Sequence, residues 1–165
     1  MFNRLLLDCL VPGTTSVNER KTRTMLTFKP AAGETILVFR VDSDEGKKLF
    51  ELEDSLVADA LLAVFRQGAQ PILFFVELKG SDVEHAEKQL ESTIAAASRK
   101  MKSVWNEFEK YALLVRAGSA SAPSANKRRK KQQQEVREVA GVRLLYLRSR
   151  SNCSVDDVIR ALRTK

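Results

Sequence analysis

The stretch that decides the fold is LVADALLAVF RQGAQ PILFFVELKG, residues 56–80. Two apolar runs, Leu56–Phe65 and Pro71–Leu78, flank a short polar segment with Gly68 at its middle. Short apolar runs bounded by turn residues read as buried strands, although the first run also suits a helix. Taken as a pair around a glycine-containing loop, they read as an antiparallel hairpin. A turn centred on Gly68 makes cross-strand residue numbers sum to 136, which sets Asp59 opposite Glu77. Side chains alternate along a strand, so Lys79 shares that face. A one-residue slip would send Glu77 to the opposite face, so the site depends on this register.

Two like charges facing each other in an apolar sheet are costly. Five apolar residues, Ile72 to Val76, lead straight into Glu77, where an unpaired carboxylate would be expensive. A divalent cation with oxygen ligands offsets that cost, and Lys79 adds positive charge nearby. The combination suits phosphodiester hydrolysis. Mg²⁺ polarises phosphoryl oxygens and lowers the pKa of a bound water, while Lys79 positions that water or stabilises developing charge. The competing reading makes Asp59 a turn residue and Glu77 and Lys79 a surface strand pair, and the bare pattern of charges has low specificity.

Working outward, Thr35–Val41 is β-branched and aromatic and reads as a strand, followed by a turn over Asp42–Gly46. Beyond Gly80, Ser81 and Glu84 have capping-box spacing, and Val83, Ala86, Leu90, Ile94 and Ala97 recur at helical spacing, which predicts a helix to about Lys100. Lys110–Arg116 reads as a strand and the small, proline-containing Ala117–Ala125 as a loop. Val136, Val139 and Ala140 have helical spacing, Arg143–Leu147 reads as a last strand, and Ser154 caps a closing helix. Residues 1–34 are less decided: Val17 to Phe28, between turn signals at Pro12-Gly13 and Ala32-Gly33, suits helix or strand. The order predicts one α/β (α+β) domain over residues 1–165, a central mixed sheet flanked by helices, with a basic loop or helix over 118–140.

At 165 residues and 44% hydrophobic content the chain has material for one real core and no separate substrate domain. The net charge of +7 is unevenly placed: residues 1–115 balance at −2 and residues 116–165 at +9. Five consecutive cations, Lys127, Arg128, Arg129, Lys130 and Lys131, would encircle a helix rather than form one stripe. Phosphate contacts would offset their mutual repulsion, so nucleic acid is the expected partner. No base-reading motif accompanies them, which implies backbone or shape recognition. One histidine and two distant cysteines argue against a Cys/His zinc site. The start lacks a signal-peptide pattern, and no run approaches the roughly twenty apolar residues of a membrane span. The expected location is the reducing cytoplasm.

Asp59, the strand ending FFVELKG (Phe74–Gly80) and the helix segment HAEKQL (His85–Leu90) resemble the PD-(D/E)xK nuclease superfamily, over about residues 35–116. The resemblance implies a restriction-endonuclease-like fold, as in small single-domain prokaryotic members, and an Mg²⁺-dependent endonuclease acting on DNA, with Mn²⁺ as a substitute metal. It implies metal ligation by Asp59, Glu77 and the backbone carbonyl of Leu78, with Lys79 as catalytic lysine. Gln89 matches a glutamine that orients the site or the nucleic acid; an ordinary solvated helix position is the competing reading. His85, one turn earlier, is read as an exposed helix residue. Two departures stand out: Ala58 occupies the place of the proline, and the glutamate many members carry on an N-terminal helix has Glu19 as its nearest candidate. Further readings are a non-catalytic nucleic-acid-binding module of the same fold, a Holliday-junction-resolvase-like structure-specific nuclease, and an interaction protein docking an acidic partner. A homodimer would enlarge the grip of so small a domain on a duplex.

Overall fold

A computed structural model of the chain describes residues 1–19, 23–79, 82–117 and 136–163. In chain order the elements are α1 (Phe2–Asp8), β1 (Ser16–Glu19), β2 (Thr24–Phe28), β3 (Glu34–Arg40), α2 (Asp44–Phe50), β4 (Ala60–Arg66) and β5 (Ile72–Lys79). Then follow α3 (Val83–Lys100), a short 3₁₀ turn, β6 (Glu109–Arg116), β7 (Val136–Val139), β8 (Val142–Arg148), β9 (Arg150–Cys153) and α4 (Val155–Arg163). Six strands make a mixed sheet in the order β3-β4-β5-β6-β8-β7, and β1-β2-β9 form a smaller sheet. The β5, β6 and β8 strands run parallel; β3, β4 and β7 join antiparallel to their neighbours. The class is mixed α/β, as the order of elements predicts.

Alternation of side chains gives the large sheet two buried faces. One carries Phe39, Leu61, Phe75, Leu114 and Leu144 against α1, α2 and α3. The other carries Val38, Leu62, Phe74, Val76 and Leu113 against the small sheet and α4. Burial on both faces explains why the central strands read as continuous apolar runs. The hairpin has the expected register: Ala60 pairs with Val76, Leu61 with Phe75 and Leu62 with Phe74. Gly68 turns the chain at a φ of 71°, a left-handed conformation that a side chain would resist.

Several local expectations need correction. The segment expected to turn at Asp42–Gly46 instead enters α2. Ser43 Oγ caps that helix by accepting the Gly46 N–H at 3.1 Å, with Asp44 and Glu45 favourably placed in the first turn. Gly46 is a packing glycine, since a Cβ there would lie 2.6 Å from the Val41 carbonyl oxygen. The undecided Val17–Phe28 stretch contributes β1 and β2. Val136–Val139 is a strand rather than helix, joined to β8 by Ala140 and Gly141, both at positive φ (48° and 75°), the conformation of a two-residue hairpin turn. The α3 helix is capped by Asp82, whose Oδ1 accepts the His85 N–H at 3.1 Å; Ser81 lies outside the described residues. Ser154 caps α4 as expected, accepting the Asp157 N–H at 3.1 Å.

The basic run Lys127–Lys131 lies outside the described residues. Cys9 and Cys153 are free thiols buried in the cores on opposite faces of the large sheet. Among the described residues no helix is long and apolar enough to cross a membrane.

Candidate active site

At one end of the large sheet the β4–β5 ladder gives way to a clasp between side chains and backbone. The last backbone pair is Ala60 with Val76. One step on, the Asp59 N–H donates to Glu77 Oε2 at 3.2 Å, and the Leu78 N–H donates to Asp59 Oδ2 at 2.7 Å. Asp59 and Glu77 are therefore opposed as the register predicts, each carboxylate held by the other strand's backbone.

The ladder stops there because α3 draws the incoming chain off the sheet. Gln89 Nε2 donates to the Val57 carbonyl at 2.8 Å, and the Ala58 N–H donates to Thr93 Oγ1 at 2.8 Å. Thr93, fully buried, donates its own O–H to the Gln89 carbonyl at 2.8 Å. With Ala58 diverted, the end of β5 projects past β4. A strand residue's N–H and C=O leave on the same side, so the Leu78 carbonyl faces the Asp59 side along with its N–H. The Leu78 side chain points away, into the core under the small sheet.

Lys79 stands on the Glu77 face. Its Nζ donates to Gln89 Oε1 at 3.1 Å and lies 3.9 Å from Glu77 Oε1. Gln89 thus ties three pieces together: the helix, the chain entering β4 and the lysine. Ala58 accounts for the missing proline in the same terms, because its N–H is used and proline would have none to give.

The carboxylates are costly as charges. Glu77 is only 2% exposed, and burial pushes its carboxyl up to about 9, with Asp59 adding repulsion and Lys79 opposing it. Burial likewise pushes Asp59 up to about 6, against the pull of the Leu78 N–H. Asp42 adds negative potential to both groups, and Glu19 to Asp59. Glu19, the candidate for a glutamate on an N-terminal helix, ends strand β1 instead.

Asp42 and Thr93 are the residues that the sequence reading missed. Asp42 directly follows Val41, whose N–H donates to the Asp59 carbonyl at 3.4 Å, but inside an acidic turn-like stretch nothing singles it out. Thr93 does leave a trace: a hydroxyl one helical turn beyond Gln89, among the apolar positions of α3. His85 enters the hydrogen bonding only through its backbone N–H, at the cap.

Among the described residues no cluster of three or more His, Cys, Asp or Glu side chains is arranged to hold a metal. The donor set is smaller and of one kind: two carboxylates, each with one oxygen occupied by a backbone N–H, and the Leu78 carbonyl on the same side. Hard oxygen donors with burial that disfavours paired negative charge fit Mg²⁺, which binds through one or two carboxylates and retains water or phosphate oxygens. Comparison of the chain with family models, with curated proteins and with solved structures finds no match in any of the three.

Proposed function

We propose that this chain is an Mg²⁺-dependent nuclease of the PD-(D/E)xK type that hydrolyses phosphodiester bonds in DNA. The observation that carries the reading is the reciprocal clasp of Asp59 and Glu77, with Lys79 tethered beside it by Gln89. Asp59, Glu77 and the Leu78 carbonyl would hold the ion, with Mn²⁺ as a substitute. The ion supplies Lewis-acid polarisation of a phosphoryl oxygen and a water of lowered pKa. Lys79, fixed by Gln89 yet 24% exposed, can hold a water or meet negative charge developing at the phosphate. Gln89 acts through Lys79 and is a positioning residue.

The test is cleavage of plasmid, single-stranded, branched and RNA substrates with Mg²⁺, Mn²⁺ or EDTA. Asp59→Asn and Lys79→Ala should each lower turnover about a hundredfold or more, and Asp59→Asn should largely keep nucleic-acid affinity. Gln89→Ala should lower kcat more than it raises KM. Normal cutting by Asp59→Asn and Lys79→Ala would refute the site, and binding without cleavage under every condition would favour a non-catalytic module. Preference for the branched substrate would mark a structure-specific nuclease.

A further inference from the structure

We propose that Lys79, Arg116 and Arg148 form a row that grips the phosphate backbone of a nucleic acid and leads it to the Asp59–Glu77 pair. The inference rests on the nuclease reading for the identity of its ligand, but its geometry is independent of it. Lys79 is the register partner of Arg116, and Arg116 of Arg148. The three therefore stand level across the parallel strands β5, β6 and β8, at their C-terminal ends. All three fall on the α3 face: Glu77 precedes Lys79 by two residues, Leu114 precedes Arg116 by two, and Tyr146 precedes Arg148 by two.

Adjacent strands lie about 4.8 Å apart, so the row spans about 10 Å. One strand of a duplex carries a phosphate about every 3.4 Å of axis, so such a span covers about three of them. A single small anion would need convergent donors; an extended line of cations suits a polymer.

The charges in this row are available. Arg116 and Arg148 are exposed, and neither makes an ion pair among the described residues. Elsewhere arginines are engaged: Arg66 with Glu34, Arg137 with Glu87, Arg163 with Glu109. Glu87, the α3 acid that meets β8 through Tyr146, is already matched by Arg137 at 3.8 Å and by the Tyr146 hydroxyl. Two exposed arginines without an ion pair among the described residues, level with a lysine that borders a buried acidic pair, give the electrostatic layout a phosphodiester substrate requires, with cations for the flanking phosphates and carboxylates at the point of attack.

The experiment measures binding of the full chain to unrelated duplex and single-stranded sequences, in EDTA, across a salt series. Arg116→Ala and Arg148→Ala should weaken affinity severalfold on every sequence. Each should make the log affinity against log salt slope shallower by about 0.9 on duplex and about 0.7 on single strands, as expected for one lost phosphate contact. Thermal unfolding checks that both variants fold. Arg160→Ala, on the opposite side of the sheet, should leave the slope unchanged. Unchanged slopes in both row variants, an equal effect from Arg160→Ala, or no nucleic-acid binding by the wild type would each overturn the row. Altered slopes without any cleavage would keep the row and remove the nuclease; Asp59-dependent cleavage with unaltered slopes would do the reverse.

Discussion

Asp59 and Glu77 share a burial cost that neither sheds alone, and that cost has a sign. In the unfolded chain both carboxyls titrate near 4. In the fold they hold protons more tightly, Asp59 to about 6 and Glu77 to about 9, with burial the leading cause for each. Between those limits the native state binds more protons than the unfolded state, so stability falls as pH rises. The stabilising effect of protonation is complete below about pH 4 and is lost as pH climbs through the folded values. Burial and the Asp59 charge favour the protonated form of Glu77 near neutral pH. A cation bound in place of a proton would reverse the trend. Metal-free wild type should therefore lose Tm between about pH 5 and pH 9 more steeply than Glu77→Gln, and saturating Mg²⁺ should raise Tm more at about pH 8 than at pH 5. Equal pH slopes for wild type and Glu77→Gln in calorimetry would rule out the pair as the source.

At the scale of elements, legibility followed length and periodicity. The α3 helix, eighteen residues with a sustained apolar stripe, was readable end to end, and its cap alone moved, from Ser81 to Asp82. The hairpin register was readable because Gly68 leaves the turn little choice, and with it came the opposition of Asp59 and Glu77. What the sequence hid were short elements whose pattern is ambiguous. Val136 and Val139 are three apart, which fits a helix, yet over four residues the same spacing is compatible with a strand edge. Pairing with β8, a tertiary event, decided it. The deciding turn is Ala140-Gly141, and its weakness makes a prediction. Alanine at a φ of 48° bears the left-handed penalty, whereas asparagine tolerates that conformation and Asn-Gly is the favoured pair for such turns. Ala140→Asn should stabilise the protein by about 0.5–1 kcal/mol in denaturant unfolding, with an unchanged m value. A loss of stability would mean that the turn is not of this type.

For the molecule as a whole, the basic excess belongs to the last third of the chain. Residues 1–115 balance at −2 and residues 116–165 at +9, and five of the latter cations are consecutive, Lys127–Lys131. Arg116 ends β6, and Val136 opens β7 opposite Leu145, three residues before Arg148. Arg116 is thus in the cation row itself, and Val136 stands level with Val76, the residue before Glu77. If the segment supplies nucleic-acid affinity, replacing all five cations with glutamine should flatten the salt dependence by up to about 4.5 on duplex, one contact's worth for each cation. Turnover at saturating substrate should hold, because Asp59, Glu77 and Lys79 are untouched, and thermal unfolding checks that the variant folds. The deficit should add to that of Arg148→Ala if the two act as separate phosphate contacts. Retention of full affinity at every salt concentration would instead assign the grip to Lys79, Arg116 and Arg148 alone, a stricter geometry in which three cations in register across β5, β6 and β8 hold the substrate.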